Sequence, residues 1–219
     1  MVRSLQRYLL VLPACAGLIG CGQNPEEAYL SRLDAFRVSQ ANLGRSEDAT
    51  QPFEESKAWL KNNPNKDVLL KILKDEKATA ERKSTAAEVL QFSVSRSDFE
   101  ALLPDLTKSV SKEMSAYLFS CAIGPIPYSK PSDSVVKDYL AFLEASPTLD
   151  DLAGRIFVIN TPALRKVAGL CDAIQNRLSK ERVEKDSKKK VTPETIKRRC
   201  AAMGICTDQF AEKPDPAKK

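Results

Sequence analysis

The chain has 219 residues, a net charge of +5 and 6% aromatic residues, and it contains no histidine. The absence of histidine removes the commonest general base and metal ligand, and it excludes Ser-His and Cys-His nucleophile pairs. The cysteines that follow residue 100 have spacings unlike those of zinc sites, so we expect neither a metal nor another cofactor.

The N-terminal segment has the composition of a secretory signal. Arg3 and Arg7 precede an apolar run over residues 8–19, with no acidic residue among them. This run is too short to span a bilayer, which needs about 20 apolar residues. The pattern of a basic start followed by a short apolar stretch is typical of an exported protein.

The end of this segment carries a motif. Leu18, Ile19 and Gly20 stand directly before Cys21, and this order resembles the lipobox of bacterial lipoprotein precursors. The resemblance implies that the signal peptidase recognises these three residues and cleaves after Gly20, leaving Cys21 as a lipidated first residue. It also implies a membrane-anchored lipoprotein that faces the periplasm. In the usual lipoprotein sorting pattern, Asp directly after the lipidated cysteine favours retention of the protein in the inner membrane. This chain has Gly22 at that position, which indicates the outer membrane. An ordinary signal with a chance cysteine is the alternative.

Composition predicts helix nearly throughout the remaining chain. It has only 8 glycines and long stretches rich in Ala, Leu, Lys and Glu, which favour an all-α fold. The first helix is expected to begin after Asn24, a good N-cap, with Pro25 at its first position. A short second helix is expected to open at Pro52.

From Asn65 the apolar pattern recurs in pairs of helices. Superposing the first helix of each pair aligns Leu73, Leu106 and Leu143, which are 33 and 37 residues apart. Such a period is typical of stacked helical hairpins.

One of these pairs carries further features. Residues 67–92 have leucines in the first helix, an Asp in the turn, and an Arg followed by an Ala-rich face in the second. This order is similar to a HEAT repeat, and the resemblance implies a HEAT-like α-solenoid of stacked hairpins. The third pair, residues 133–160, keeps the apolar stripes without the Arg and the alanines. An irregular helical bundle remains the alternative, because amphipathic stripes suit both architectures.

The C-terminal third is expected to contain two more helices. One is expected to run from Thr161 to Leu178, and a short one capped by Thr192 is expected to stop at Gly204. The resulting division of the chain is residues 1–20, signal peptide; 21–24, lipid anchor and short tether; 25–178, all-α helical-repeat domain; 179–191, charged linker; 192–210, short C-terminal helix with a cysteine pair; and 211–219, disordered tail.

The cysteines suggest a disulfide, because thiols of exported proteins tend to pair. A left-handed Gly204 would turn the chain back and bring Cys206 toward Cys200, so we predict a bond between these two. Unpaired thiols, or a link from either one to Cys171, stay open. Cys121 and Cys171 lie on apolar stripes, where buried free thiols are expected.

Two serine–lysine pairs have the spacing of the β-lactamase nucleophile motif. They are Ser109 with Lys112 and Ser134 with Lys137. The enzymes with this motif also need a Lys-Thr-Gly strand and a large sheet, which the sequence does not offer. We therefore expect all four to be surface residues of amphipathic helices.

Carboxylate chemistry is not indicated either. Glu54 and Glu55, or Asp150 and Asp151, are adjacent rather than facing, so neither pair marks a general acid and base. We expect a non-catalytic protein-binding or scaffold module whose partner is another envelope protein, with membrane contact through the N-terminal lipid. Nucleic acid is not an expected partner. An immunity or exclusion lipoprotein that neutralises a toxin or conjugation apparatus is the runner-up, and a cell-wall enzyme is the competing class.

Overall fold

A computed structural model describes residues 24–45, 47–124, 131–159, 161–180 and 191–210. Within these ranges the backbone is helical with turns and no strand, which confirms the all-α prediction. A 3-10 turn at Glu47–Ala49 precedes the second helix. The α-helices are α1 (Pro25–Asn42), α2 (Thr50–Asn62), α3 (Lys66–Lys74), α4 (Ala80–Ser93), α5 (Arg96–Ser109), α6 (Lys112–Ile123), α7 (Asp133–Glu144), α8 (Leu149–Phe157), α9 (Thr161–Leu164), α10 (Leu170–Ser179), α11 (Pro193–Ala202) and α12 (Thr207–Phe210).

Most helices begin at a side-chain cap. The Asn24 side chain accepts the Glu26 backbone N–H at 3.0 Å, and Pro25 occupies the first position, as the sequence predicts. Such a bond satisfies one of the four backbone N–H groups that a helix start leaves without an internal partner. The same arrangement recurs at the residues before α3 to α8 and α11, namely Asn65, Thr79, Ser95, Ser111, Ser132, Thr148 and Thr192.

The helices pack in the order in which they occur along the chain. α1 pairs with α2, α3 with α4, and α5 with α6, each as a helical hairpin. The first helices α3, α5 and α7 contact one another in succession, and so do the second helices α2, α4, α6 and α8. This two-layer order is that of stacked helical hairpins.

The third pair departs from the expected arrangement. α7 packs mainly against α10, while α8 contacts both α6 and α7. The single helix expected from Thr161 to Leu178 is divided into α9 and α10 by a turn that begins after Leu164 and ends at Gly169, whose backbone is left-handed with φ +77°. A helix cannot continue through that conformation, so the chain turns and α10 reaches α7.

The C-terminal helices α11 and α12 pack into the same apolar core as the other helices and do not form a separate domain. Ile196, Ile205 and Phe210 are buried in the same apolar cluster that begins at Tyr29. The carbonyl oxygen of Met203 accepts hydrogen bonds from the Arg165 guanidinium, at 2.6 Å from Nη2 and 3.2 Å from Nε. Of the expected linker, residues 179 and 180 end α10 and residue 191 is described, whereas 181–190 lie outside the described residues, as does the tail 211–219.

The predicted Cys200–Cys206 disulfide is wrong. Cys206 bonds instead to Cys171, with a Cα–Cα distance of 5.5 Å, and Cys200 is free and buried. The expectation of a free thiol holds for Cys121 and fails for Cys171. The link from Cys206 to Cys171 is one of the alternatives that the sequence leaves open.

The turn after α11 explains this pairing. Gly204 ends α11 in a left-handed conformation, φ +65°, as predicted. It forms a Schellman turn, in which the Ile205 N–H donates to the Cys200 carbonyl oxygen at 2.8 Å and the Gly204 N–H to the Ala201 oxygen at 2.9 Å. The turn therefore returns Ile205, not Cys206, to Cys200. Cys206, itself left-handed at φ +56°, lies beside α10, where it meets Cys171.

Candidate functional site

Two adjoining clefts lie along the second helices of the stack. The first has a volume of 410 Å³ and is lined by residues of α1, α4, α6 and the end of α8, namely Gln40, Glu88, Gln91, Tyr117, Ser120, Cys121, Gly124 and Val158. The second has a volume of 270 Å³ and lies between α6 and α8, lined by Lys112, Glu113, Ala116, Asp150, Asp151, Gly154, Arg155 and Val158. We call the two clefts together the second-helix face.

Val158 joins the two clefts. It lines both of them, and 41% of its surface is exposed. Among the described residues, only Val38 and Leu43 are comparably exposed large aliphatic side chains, and neither lines either cleft. The second-helix face therefore combines two recesses, each lined by both polar and apolar groups, with an exposed apolar residue that borders both.

A held carboxylate marks the first cleft. The side-chain amide of Gln40 in α1 donates toward both oxygens of Glu88 in α4, at 2.9 and 2.8 Å. This contact fixes the position of the carboxylate between α1 and α4. Gln91 lies about one helical turn after Glu88 in α4, and Tyr117 lies in α6. The side-chain polar groups of both form no hydrogen bond in the described part of the chain.

The other ionisable groups of the first cleft are held neutral. Burial raises the pKa of the Cys121 thiol to about 12, and the nearby negative charge of Glu88 adds to the effect. Burial also raises the pKa of Tyr117, with smaller contributions from Cys121 and Glu88. A thiol with so high a pKa is almost fully protonated at neutral pH, and the thiolate is the nucleophilic form. The cleft is therefore better suited to binding than to nucleophilic attack.

Arg155 forms the floor of the second cleft. It is only 4% exposed, and its Nη2 lies 2.7 Å from an oxygen of Asp151 one turn earlier. Its guanidinium also donates to the Phe142 carbonyl oxygen in α7 and lies 3.9 Å from the centroid of the Phe142 ring. The charge of Arg155 is thus engaged within the protein.

The rim of the second cleft is acidic. Glu113 lies in the first turn of α6, and Asp150 and Asp151 lie in the first turn of α8. Hydrogen bonds from its own backbone N–H and from Ser111 hold the pKa of Glu113 below its usual range. The helix dipole favours negative charge in a first helical turn, so the starts of α6 and α8 are suitable positions for these three carboxylates.

Of the residues singled out in the sequence, Cys121 lines the first cleft, and Lys112, Asp150 and Asp151 line the second. Leu18, Ile19, Gly20 and Cys21 lie outside the described residues. The serines and lysines of the two pairs with β-lactamase spacing are exposed, as expected, and the hydroxyl of Ser109 donates to carbonyl oxygens of its own helix. The carboxylates Glu54 and Glu55 lie on the exposed surface of α2, away from either cleft.

Sequence reasoning missed Glu88, Tyr117, Val158 and Arg155 as members of one site. Their helices become neighbours only when the hairpins stack, and three of the four residues lie off the apolar stripes. The periods of 33 and 37 residues that align the first helices also align Glu88, Cys121 and Val158 of the second helices, and these three residues line one cleft. The sequence predicts a third pair without the Arg of the HEAT-like pattern, and the arginine that α8 does contain, Arg155, is buried.

No protein-family model, curated protein or solved structure matches this chain. In the described ranges, no helix is both long and apolar enough to cross a membrane. The same ranges contain no cluster of His, Cys, Asp and Glu side chains that could hold a metal ion.

Proposed function

We propose that this protein is a lipid-anchored component of the bacterial cell envelope that binds another envelope protein and does not catalyse a reaction. The observation that carries the proposal is the second-helix face, where two clefts of 410 and 270 Å³ meet at the exposed Val158. Clefts of this size that combine apolar and polar groups are typical binding sites. Stacked hairpins commonly bind partners along such extended surfaces.

The electrostatics of the face support binding over catalysis. The Cys121 thiol and the Tyr117 hydroxyl are both held in their protonated forms by burial, which raises their pKa values. Arg155 is committed to Asp151 and to the Phe142 carbonyl oxygen. A general acid–base pair needs groups that exchange protons near neutral pH, and neither the Cys121 thiol nor the Tyr117 hydroxyl meets that need.

The lipobox sequence and the position of α1 support the location. Cys21 precedes Asn24, the cap of α1, by three residues. Three residues span at most about 10 Å, so lipidation of Cys21 would keep the start of α1 close to the bilayer surface. A partner embedded in the membrane or bound to it would then be within reach of the repeat region.

The experiment is site-specific crosslinking in cells. A photoreactive amino acid replaces Val158 in the second-helix face, and a matched variant carries it at Val38, which is 52% exposed and lies on α1 outside the clefts. We expect a defined protein adduct from position 158 and none from position 38. Equal adducts from both positions, or turnover of a wall fragment or lipid by the purified chain, would overturn the proposal.

A further inference from the structure

The charges of the second-helix face limit what can bind there. Its lining contains four carboxylates, Glu88, Glu113, Asp150 and Asp151, and two cationic side chains, Lys112 and Arg155. Arg155 is 4% exposed and is engaged by Asp151. Lys112 is therefore the one exposed cation of the described lining. Three carboxylates, those of Glu88, Glu113 and Asp150, form no salt bridge among the described residues.

The first cleft has the parts of a site for a long cationic side chain. The Glu88 carboxylate is held in place by Gln40, and the same cleft is lined by the Tyr117 ring and by Val158. Lysine and arginine pack their hydrocarbon stems on apolar surface while the charged group reaches a polar partner. An aromatic ring beside a carboxylate strengthens such a contact, because its face attracts cations.

The second cleft, on the other side of Val158, is also lined by negatively charged carboxylates. Glu113 and Asp150 are exposed there, and Gly154 of α8 leaves open space, since no atom beyond its chain neighbours and the nearby backbone of its own helix lies within 4 Å of where its Cβ would be. Both clefts border Val158, so a ligand that spans them places an apolar group between two cationic ones. The same carboxylates would repel an anionic lipid surface or a nucleic acid.

We infer that the second-helix face binds a basic segment of the partner polypeptide. In this arrangement one lysine or arginine enters the Glu88 cleft, an apolar residue covers Val158, and a second cation lies against Glu113 and Asp150. This inference rests on the proposed protein-binding function and specifies the chemistry of the partner at the same face.

The test uses a synthetic peptide as the probe. The peptide carries a Lys-Leu-Lys core between glycine and serine residues, and a matched peptide carries Glu-Leu-Glu. The full chain as purified from cells is titrated with each peptide, and the photoreactive variants at Val158 and Val38 are crosslinked to them. We expect saturable binding of the lysine peptide alone, weakening as salt is added, with adducts from position 158 and not from position 38.

The carboxylates are tested by a charge-matched pair of variants. The triple variant Glu88→Gln, Glu113→Gln, Asp150→Asn removes three of the four carboxylate charges of the face and keeps Asp151, which pairs with Arg155. The control variant Glu54→Gln, Glu55→Gln, Glu76→Gln removes three exposed charges elsewhere on the surface. We expect the first to lose at least about tenfold in affinity for the lysine peptide and the control to keep its affinity. Thermal unfolding of both variants verifies that each is folded.

The outcomes separate the inference from the proposed function. Equal losses in the two triple variants, or equal binding of the glutamate peptide, would overturn the inference. A native partner crosslinked from position 158 through a segment without lysine or arginine would also overturn it, while the proposed function would stand. If position 158 yields no adduct with any protein or peptide, both fail.

Discussion

The guanidinium of Arg155 stacks on the ring of Phe142 at 3.9 Å and donates to the backbone carbonyl oxygen of the same residue. In return, the backbone carbonyl oxygen of Arg155 accepts the buried hydroxyl of Tyr139 at 3.1 Å. Arg155 of α8 therefore both donates a hydrogen bond to α7 and accepts one from it. This contact positions α8, which supplies half of the second cleft.

Replacing Arg155 should destabilise the protein strongly. Arg155→Ala removes a buried guanidinium, leaves the Phe142 carbonyl oxygen without its donor and takes the ion-pair partner from Asp151, whose side chain is 23% exposed. Losing this partly buried ion pair together with the buried hydrogen bond should cost about 2 kcal/mol or more. Urea unfolding should show this loss, whereas Arg198→Ala, on the exposed surface of α11, should change the free energy of unfolding by less than about 0.5 kcal/mol. Similar effects of the two substitutions would contradict the assigned contacts.

Removing the disulfide should also destabilise the protein, and its two cysteines should act as a unit. The bond between Cys171 and Cys206 closes a loop with a sequence separation of 35. Loop-closure entropy predicts a contribution of about 4 kcal/mol at most. We expect Cys206→Ser and the double variant with Cys171→Ser to unfold at the same urea concentration. Peptide mapping without reductant should join these two residues, and a peptide that joins Cys200 to Cys206 would refute the pairing.

Two glycine substitutions should have opposite effects. Gly169 has φ +77°, and an added Cβ would lie 3.2 Å from Cδ1 of Leu140, so Gly169→Ala should lower the free energy of unfolding by about 1 kcal/mol or more. Gly154 lies inside α8 with open space around it, so Gly154→Ala should raise that free energy by up to about 1 kcal/mol. Thermal unfolding of the two variants measures both signs. A stabilised Gly169→Ala variant would contradict the left-handed turn.

The buried thiol of Cys121 should make stability fall at alkaline pH. Its pKa is raised to about 12 in the folded chain, from an ordinary value of 9.0. Above pH 9 the unfolded chain therefore loses this proton while the folded chain keeps it, so the free energy of unfolding declines as the pH rises. Each such group contributes a slope of up to about 1.4 kcal/mol per pH unit. Urea unfolding between pH 8 and 10.5 should show a shallower decline for Cys121→Ala, and an unchanged slope would contradict the shift.

Lipidation at Cys21 is expected from the Leu18-Ile19-Gly20-Cys21 order. The intact mass of protein extracted from membranes should correspond to a chain that begins with a diacylglyceryl cysteine. Cys21→Ala should abolish this species, because the modified thiol is missing. Recovery of the unaltered protein as a lipid-free chain that starts elsewhere would contradict the lipobox.

The sequence predicts the features that depend on neighbouring residues. The Asn24 cap, the Pro25 start and the Gly204 turn agree with the structure, because each depends on a few adjacent backbone groups. The path through Gly169 was not predicted, since one glycine in an apolar stripe is compatible with either a helix or a turn.

Contacts between residues far apart in the sequence were not predicted from the sequence. The turn at Gly204 was predicted correctly, yet the partner of Cys206 depends on where α10 packs, 35 residues earlier in the chain. The second-helix face has the same origin. Glu88 and Val158 become neighbours through the stacking of α4, α6 and α8, and no local pattern specifies that arrangement.

The Cys171–Cys206 bond makes the chain a closed ring over the residues between its two cysteines. That ring includes the lysine-rich run 188–190 and the arginines of α11, where trypsin-like proteases cleave. A single cut anywhere in the ring leaves one covalent molecule, so α12 stays attached to α10 even when the backbone is open. A cut in this stretch would therefore change the mass of the unreduced protein only by one added water. The two pieces would separate only after a reductant breaks the disulfide.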